Sequence, residues 1–238
     1  MKPTHPYQPL LLRLLHGLTG IFVLGAIFTA YWTYETYDKR WGGIGLPKFP
    51  AIEGIHGTFG LWALLLFPAF AIYALRRGQK RLLQPNSLSQ LSQPNTPIGW
   101  YTLHRGANTL SLLSLTFALF SGKMMGSTWL PNGELNHTWY YIHLVSWVVM
   151  VLTLGIHLLM SAKVGGMPLL LSIWQWRSRP EESPKRWGNS IQKWWHDVRA
   201  GNRSSLLLVN RAILYRVLEA GILLSLILAW IIPIFKGD

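Results

Sequence analysis

The stretch YYIHLVSWVVMVLTLGIHLLM, residues 140–160, decides how this chain is read, because it is apolar enough to cross a bilayer and yet carries two imidazoles, His143 and His157. About 20 apolar residues span about 30 Å of hydrocarbon. Strongly polar side chains inside such a run usually face a bundle interior and serve a purpose. In an α-helix each residue turns about 100° and rises about 1.5 Å, so fourteen residues advance about 21 Å and fall about 40° short of four turns. His143 and His157 therefore share one face of one helix, near its opposite ends.

Working outward, four more apolar runs lie at about 9–34, 51–75, 103–122 and 207–234, which with 138–161 makes five spans. Half of the 238 residues are hydrophobic and 13% are charged, the composition of a polytopic membrane protein. The first run contains Arg13 and His16 and ends in no small-residue cleavage motif, so it reads as a retained span rather than a signal peptide. The fold class expected is an all-α membrane protein: a four-helix bundle plus a fifth, C-terminal transmembrane helix.

The net charge of +13 is topological. Alternating the ends of five spans puts Lys39, Arg40, Lys48, Lys123 and Lys236 on one side and the other 17 of 22 basic residues on the opposite one. The positive-inside rule assigns the N-terminus, the 76–102 loop and the 162–206 loop to the cytoplasm or stroma, and the C-terminus to the other side. A basic face of this kind favours anionic headgroups, so no nucleic-acid partner is needed to explain it. The membrane expected is a bacterial inner membrane or a thylakoid.

The loops differ in character. TYETYDKRWGGIGLPKFP reads as an ordered interfacial connection, RRGQKRLLQPNSLSQLSQPNTP as a flexible one, and Pro131-Asn132-Gly133 as a turn. The 162–206 segment mixes Trp187, Trp194 and Trp195 with basic residues, which suits one or two helices lying in the interface, aromatic side to lipid.

With no cysteine in the chain, cysteine-ligated iron–sulfur clusters, C-x-x-C-H haem attachment and thiolate-ligated haem are excluded. Histidines remain, and four lie within spans at matched depths. His16 falls near the inner end of span one and His157 near the inner end of span four; His56 and His143 fall near the outer ends of spans two and four. A lone intramembrane histidine commonly serves an interhelical hydrogen bond. Two pairs in phase on a shared helix fit bis-histidine ligation of two haem b groups, because low-spin haem takes two opposed nitrogens and an apolar slot. A catalytic zinc site would want three ligands at one depth. Gly17, Gly20, Gly54, Gly57, Gly60 and Gly155 beside these histidines allow close approach of a porphyrin or a helix. Arg13, one turn before His16, is a candidate partner of haem propionates, or else a boundary arginine snorkelling to headgroups.

RLLHGLTG in span one, GIHGTFG in span two and the 140–160 stretch resemble the prokaryotic cytochrome b561 family, related to the cytochrome b subunits of hydrogenases and formate dehydrogenases. The resemblance covers about residues 9–161. It implies that His16, His56, His143 and His157 are the haem ligands and that a quinone or quinol is a partner. His104 sits at the depth of His16 and His157, as an alternative ligand or, with Arg105 and Asn108, a contact to a quinone head. The chain then divides into a dihaem cytochrome b core (1–161), a Trp- and basic-rich interfacial segment (162–206) and an additional transmembrane helix (207–238).

The function expected is an electron relay between the two membrane faces, to or from quinone, and the chain is then an electron-transfer protein or a quinone oxidoreductase. Two alternatives stay open: a membrane anchor or assembly subunit docking on a protein redox partner or larger complex, and a haem-free transporter whose histidines handle protons. Glu219 in the last span is expected to pair with Arg216 or Arg211.

Overall fold

The computed structural model describes residues 7–125, 135–175, 179–200 and 213–236. His5, Arg211, the turn expected at Pro131–Gly133 and the Trp194 side chain lie outside what it describes. Among the described residues seven α-helices follow in order: α1 (Leu10–Tyr37), α2 (Ile52–Arg76), α3 (Ser87–Leu91), α4 (Pro97–Met125), α5 (Thr138–Leu170), α6 (Pro184–Arg199) and α7 (Ile213–Lys236). Among the described residues, four segments are long and apolar enough to cross a membrane: Leu10–Tyr37, Ile52–Arg76, Thr138–Trp174 and Ile213–Phe235.

The helix over the expected third span is not among those four, and its chemistry says why. α4 carries Thr109, Ser111, Ser114, Thr116 and Ser121, and their hydroxyls find partners close at hand. Thr109 donates to Arg105 O, Thr116 to Leu112 O and Ser121 to Phe117 O, at 3.0, 2.8 and 2.6 Å, and Ser111 donates to Thr153 of α5 at 3.1 Å. Polar residues satisfied in this way sit inside a bundle without water. α4 runs antiparallel to α5 through the pairs His104–Ser161, Asn108–His157, Ser111–Thr153 and Ala118–His143.

α1 and α2 pair antiparallel in the same manner, with Phe22 stacked on Trp62 and His56 against Ala26. At Gly25 any Cβ would run into the Phe59 ring, so glycine there lets the two helices close. The main apolar core lies on the other side, where Leu64, Phe67 and Ala71 of α2, Leu112, Leu115 and Leu119 of α4, and Ile222 and Leu226 of α7 meet. α2, α4 and α7 thus form a spine. α1 and α5 hang from it and scarcely touch each other; the Trp147 indole bridges them by donating to Ile27 O at 3.1 Å.

α7 is fixed by polar ties as well. Tyr215 donates to Leu83 O at 2.8 Å, and Glu219 meets Arg76 Nε and Nη2 at 2.7 and 2.6 Å. Arg76, from α2, is a partner the local sequence around Glu219 does not suggest.

The 77–96 connection is more ordered than its composition implies. Gln84 alone donates to Gln79 O, Leu82 O and the Tyr215 hydroxyl, and Leu83 N–H donates to Thr109. α5 also outruns its expected end, because its helix continues past a break at Gly166 (φ 64°) that precedes Pro168. The residues beyond the break return to α1, where Ile173 lies beside Gly17.

Candidate functional site

At the end of the bundle rich in basic residues, His16 of α1 faces His157 of α5, ring centroids 6.0 Å apart. His157 donates through Nδ1 to Asn108 Oδ1 at 2.7 Å. The amide orientation of Asn108 is set by its other atom, because Nδ2 donates to Arg81 O at 2.8 Å. Phe70 stands edge-on to His16, and His104 lies 5.1 Å from His157 with its Nε2 on Ser161 Oγ at 3.2 Å. Arg105 is engaged elsewhere, donating to Lys80 O and lying over Tyr101.

Arg13 is 5% exposed, and its Nε and Nη2 are buried without a hydrogen-bond partner. A buried guanidinium with open donors leaves an anion position in the fold. Glu182, an acid close to this region, is turned away from that position. Its carboxylate accepts from the Tyr7 hydroxyl and from Leu10 N–H at 2.9 Å, capping α1. Burial would raise the Glu182 carboxyl, but the Tyr7 and Leu10 hydrogen bonds and the Arg13 and Arg179 cations outweigh it and hold it below the usual carboxylate range.

At the opposite end His56 of α2 faces His143 of α5, centroids 5.9 Å apart. Here the Nδ1 partners are backbone: His56 donates to Ala26 O at 3.1 Å and His143 to Ala118 O at 2.9 Å. A Cβ at Gly122 would lie 3.3 Å from His143 Cε1, so glycine makes room for that ring. A cavity of about 520 Å³ opens beside the pair, lined by Tyr31, Tyr34, Trp41, Tyr140 and Trp147.

The loop after α1 closes this cavity, and one carboxylate holds the loop. Glu35 is fully buried and accepts from the backbone N–H groups of Ile44, Gly45 and Leu46 at 3.0, 2.8 and 3.2 Å and from Lys39 Nζ at 3.0 Å. The fold-back needs left-handed backbone at Lys39 (φ 54°), Gly42 (φ 91°) and Gly45 (φ 83°), which explains two of the glycines in RWGGIG.

Three of the four paired histidines have Nδ1 committed as donor to an oxygen, which leaves Nε2 with its lone pair, the form that binds metal. Metal–imidazole bonds of about 2 Å, extended to the ring centres, put two opposed imidazoles about 6 Å apart. Both pairs have that separation. No group of three or more His, Cys, Asp or Glu that could hold a metal ion converges among the described residues. Gly20, Gly54, Gly57, Gly60 and Gly155 have no heavy atom within 4 Å of a would-be Cβ, so the space beside each is open, and Gly54, Gly57 and Gly155 are exposed. Paired imidazoles, unfilled space and an anion-seeking arginine fit a bis-histidine haem.

Of the residues singled out in the sequence, the structure brings His16 to His157 and His56 to His143, sets His104 beside the first pair, and gives Arg105 and Asn108 local partners. Sequence reading missed the Asn108–His157 contact and the Glu35 nest. The signal for the latter was present, a carboxylate seven residues before a Gly-Gly-Ile-Gly run.

A family model described as prokaryotic cytochrome b561 matches residues 7–176. No curated protein and no solved structure matches the chain.

Proposed function

The chain belongs to the prokaryotic cytochrome b561 family, making it a membrane b-type cytochrome of electron transfer, and from that premise we propose that it carries two haems and relays electrons between the membrane faces. The observation that carries this reading is the paired geometry: two His–His contacts of 6.0 and 5.9 Å, at opposite ends of one helix. His16 and His157 hold one haem; His56 and His143 hold the other. The haems supply reversible one-electron carriers. α5 keeps the two sites about 21 Å apart along a single rigid element, and Arg13 meets the propionates at the basic end. Ligation from both sides leaves no open metal position for oxygen.

A quinone or quinol in the lipid phase is the proposed partner. His104, held by Ser161, is the residue proposed to meet its head group, because Arg105 and Asn108 are occupied by backbone carbonyls. α4, coextensive with α5, is proposed as the remaining span, and the basic end as the cytoplasmic or stromal side. On detergent-purified protein the pyridine haemochrome assay is expected to return two b haems per chain, reduced by a quinol analogue. A chain that binds none under haem-replete expression overturns the proposal.

α6 is the interfacial element of this reading. Its apolar positions 187, 191 and 195 recur with helical spacing and its basic positions lie opposite, and among the described residues its main packing is against the turn before it. Ile191 and Trp195 are exposed. The chain has no native cysteine. In membrane vesicles, therefore, the Ile191→Cys thiol is expected to be shielded from an impermeant maleimide and the Asn189→Cys thiol to react; equal reaction removes the interfacial assignment.

A further inference from the structure

The two histidine pairs differ in what stands behind the rings. At the outer pair the Nδ1 acceptors are main-chain carbonyls, Ala26 O and Ala118 O, which no substitution deletes. At the basic end the acceptor behind His157 is a side chain, Asn108 Oδ1, at 2.7 Å. That amide is itself clamped. Nδ2 donates to Arg81 O, and the Arg81 side chain donates through Nη2 to Gln8 Oε1 at 2.6 Å. One line of hydrogen bonds thus ties the segment before α1, the 77–96 connection, α4 and the ring on α5.

Resting on the dihaem reading above, we infer that Asn108 is a positioning residue that aims His157 Nε2 at its haem and, through the Nδ1–H···Oδ1 hydrogen bond, tunes the potential of that haem alone. Partners behind a ligating imidazole fix its tautomer and orientation and raise its basicity, and their loss typically costs about 10–100-fold in metal affinity. A more basic imidazole stabilises the ferric form over the ferrous one. Removing the acceptor therefore raises the potential, and strengthening it lowers the potential. At the outer pair the Thr29 and Ser121 hydroxyls also lie 3.3 and 3.2 Å from Nδ1 of His56 and His143, but each donates to its own helix and the nearer acceptor is the carbonyl, which remains whatever side chains surround the ring.

The experiment is a redox titration with low-temperature electron paramagnetic resonance of the haem-loaded chain, comparing Asn108→Leu and Asn108→Asp with the parent. Asn108→Leu is expected to raise the potential of one haem and shift its ferric signal; Asn108→Asp is expected to lower the same haem. A tenfold change in the ferric-to-ferrous balance reads as about 59 mV for one electron. The affected haem is the one retained in a His56→Ala background. Opposite shifts from two substitutions at one position separate tuning from simple loosening of the fold. If both variants bind two haems with unchanged potentials and signals, or shift in the same direction, the inference fails while the dihaem reading stands. A parent that binds no haem sinks that reading instead.

Discussion

Replacing His143 by alanine is expected to remove one b haem and leave the other, and His56→Ala to remove that same haem, whereas His16→Ala and His157→Ala each remove the complementary one. The pairing follows from geometry. His143 and His157 stand on one face of α5, but their partners come from different helices, α2 for His143 and α1 for His157. A truncated ligand leaves the opposing imidazole with nothing across from it, so haem content is expected to fall from two to one in each variant. Reduced-minus-oxidised spectra at low temperature identify which haem is lost. Sharing between His16 and His56, or loss of both haems from every variant with the fold intact, contradicts the assignment. His104→Ala is the natural companion: its Nε2 is engaged with Ser161, so the variant is expected to retain both haems.

Glu35→Ala is expected to have the largest effect on stability of any change outside the histidines. The carboxylate is fully buried and receives three backbone N–H groups and the Lys39 ammonium, so its removal takes the acceptor from three backbone donors and leaves the exposed Lys39 to solvent. Donors left without an acceptor cost more than the net worth of the bonds they made. A fall in melting temperature of about 5 °C or more is the expected scale for a chain of this size. Gly43→Ala attacks the same nest from the other side, since its Cβ would lie 2.5 Å from both carboxylate oxygens. Trp41, Gly43 and Ile44 line the cavity beside His56 and His143, so both variants are expected to weaken retention of the outer haem before the inner one. A Glu35→Ala protein that melts with the parent refutes this account.

The sequence carried the helices whose apolar runs are local, and the bounds of α1, α2, α4 and α5 fall within a few residues of the runs except in two cases. α4 begins six residues before its apolar stretch, because Thr96 accepts from Gly99 N–H and Pro97 suits a first turn. α5 continues nine residues beyond its own stretch, because the Gly166 break redirects the chain instead of ending it. The fourteen-residue phase of His143 and His157 was legible because it depends only on helix geometry. Contacts between distant segments were not. Asn108 is 49 positions from His157, and Glu182 lies 172 from the Leu10 amide it caps. Nothing in a local pattern marks such pairs: the sequence offers Asn108 as a quinone contact and gives no sign of its bond to His157. The 77–96 connection misled for a related reason: its glutamines and serines look solvated, yet Gln84 turns its amide to the inside of the loop and to α7.

The spine of α2, α4 and α7 has a consequence for how long the protein keeps what it binds. α1 and α5 face each other like the covers of a book whose binding is the core around Phe67, Leu115 and Ile222. On the dihaem proposal, the group held between His16 of α1 and His157 of α5 leaves when those two helices part, and parting them bends the binding. The family match ends at residue 176, so α7 is a reinforcement added outside it, riveted by Tyr215 and Glu219. Its effect is expected to fall on residence time: removing α7 should shorten the time for which the chain holds its cofactor.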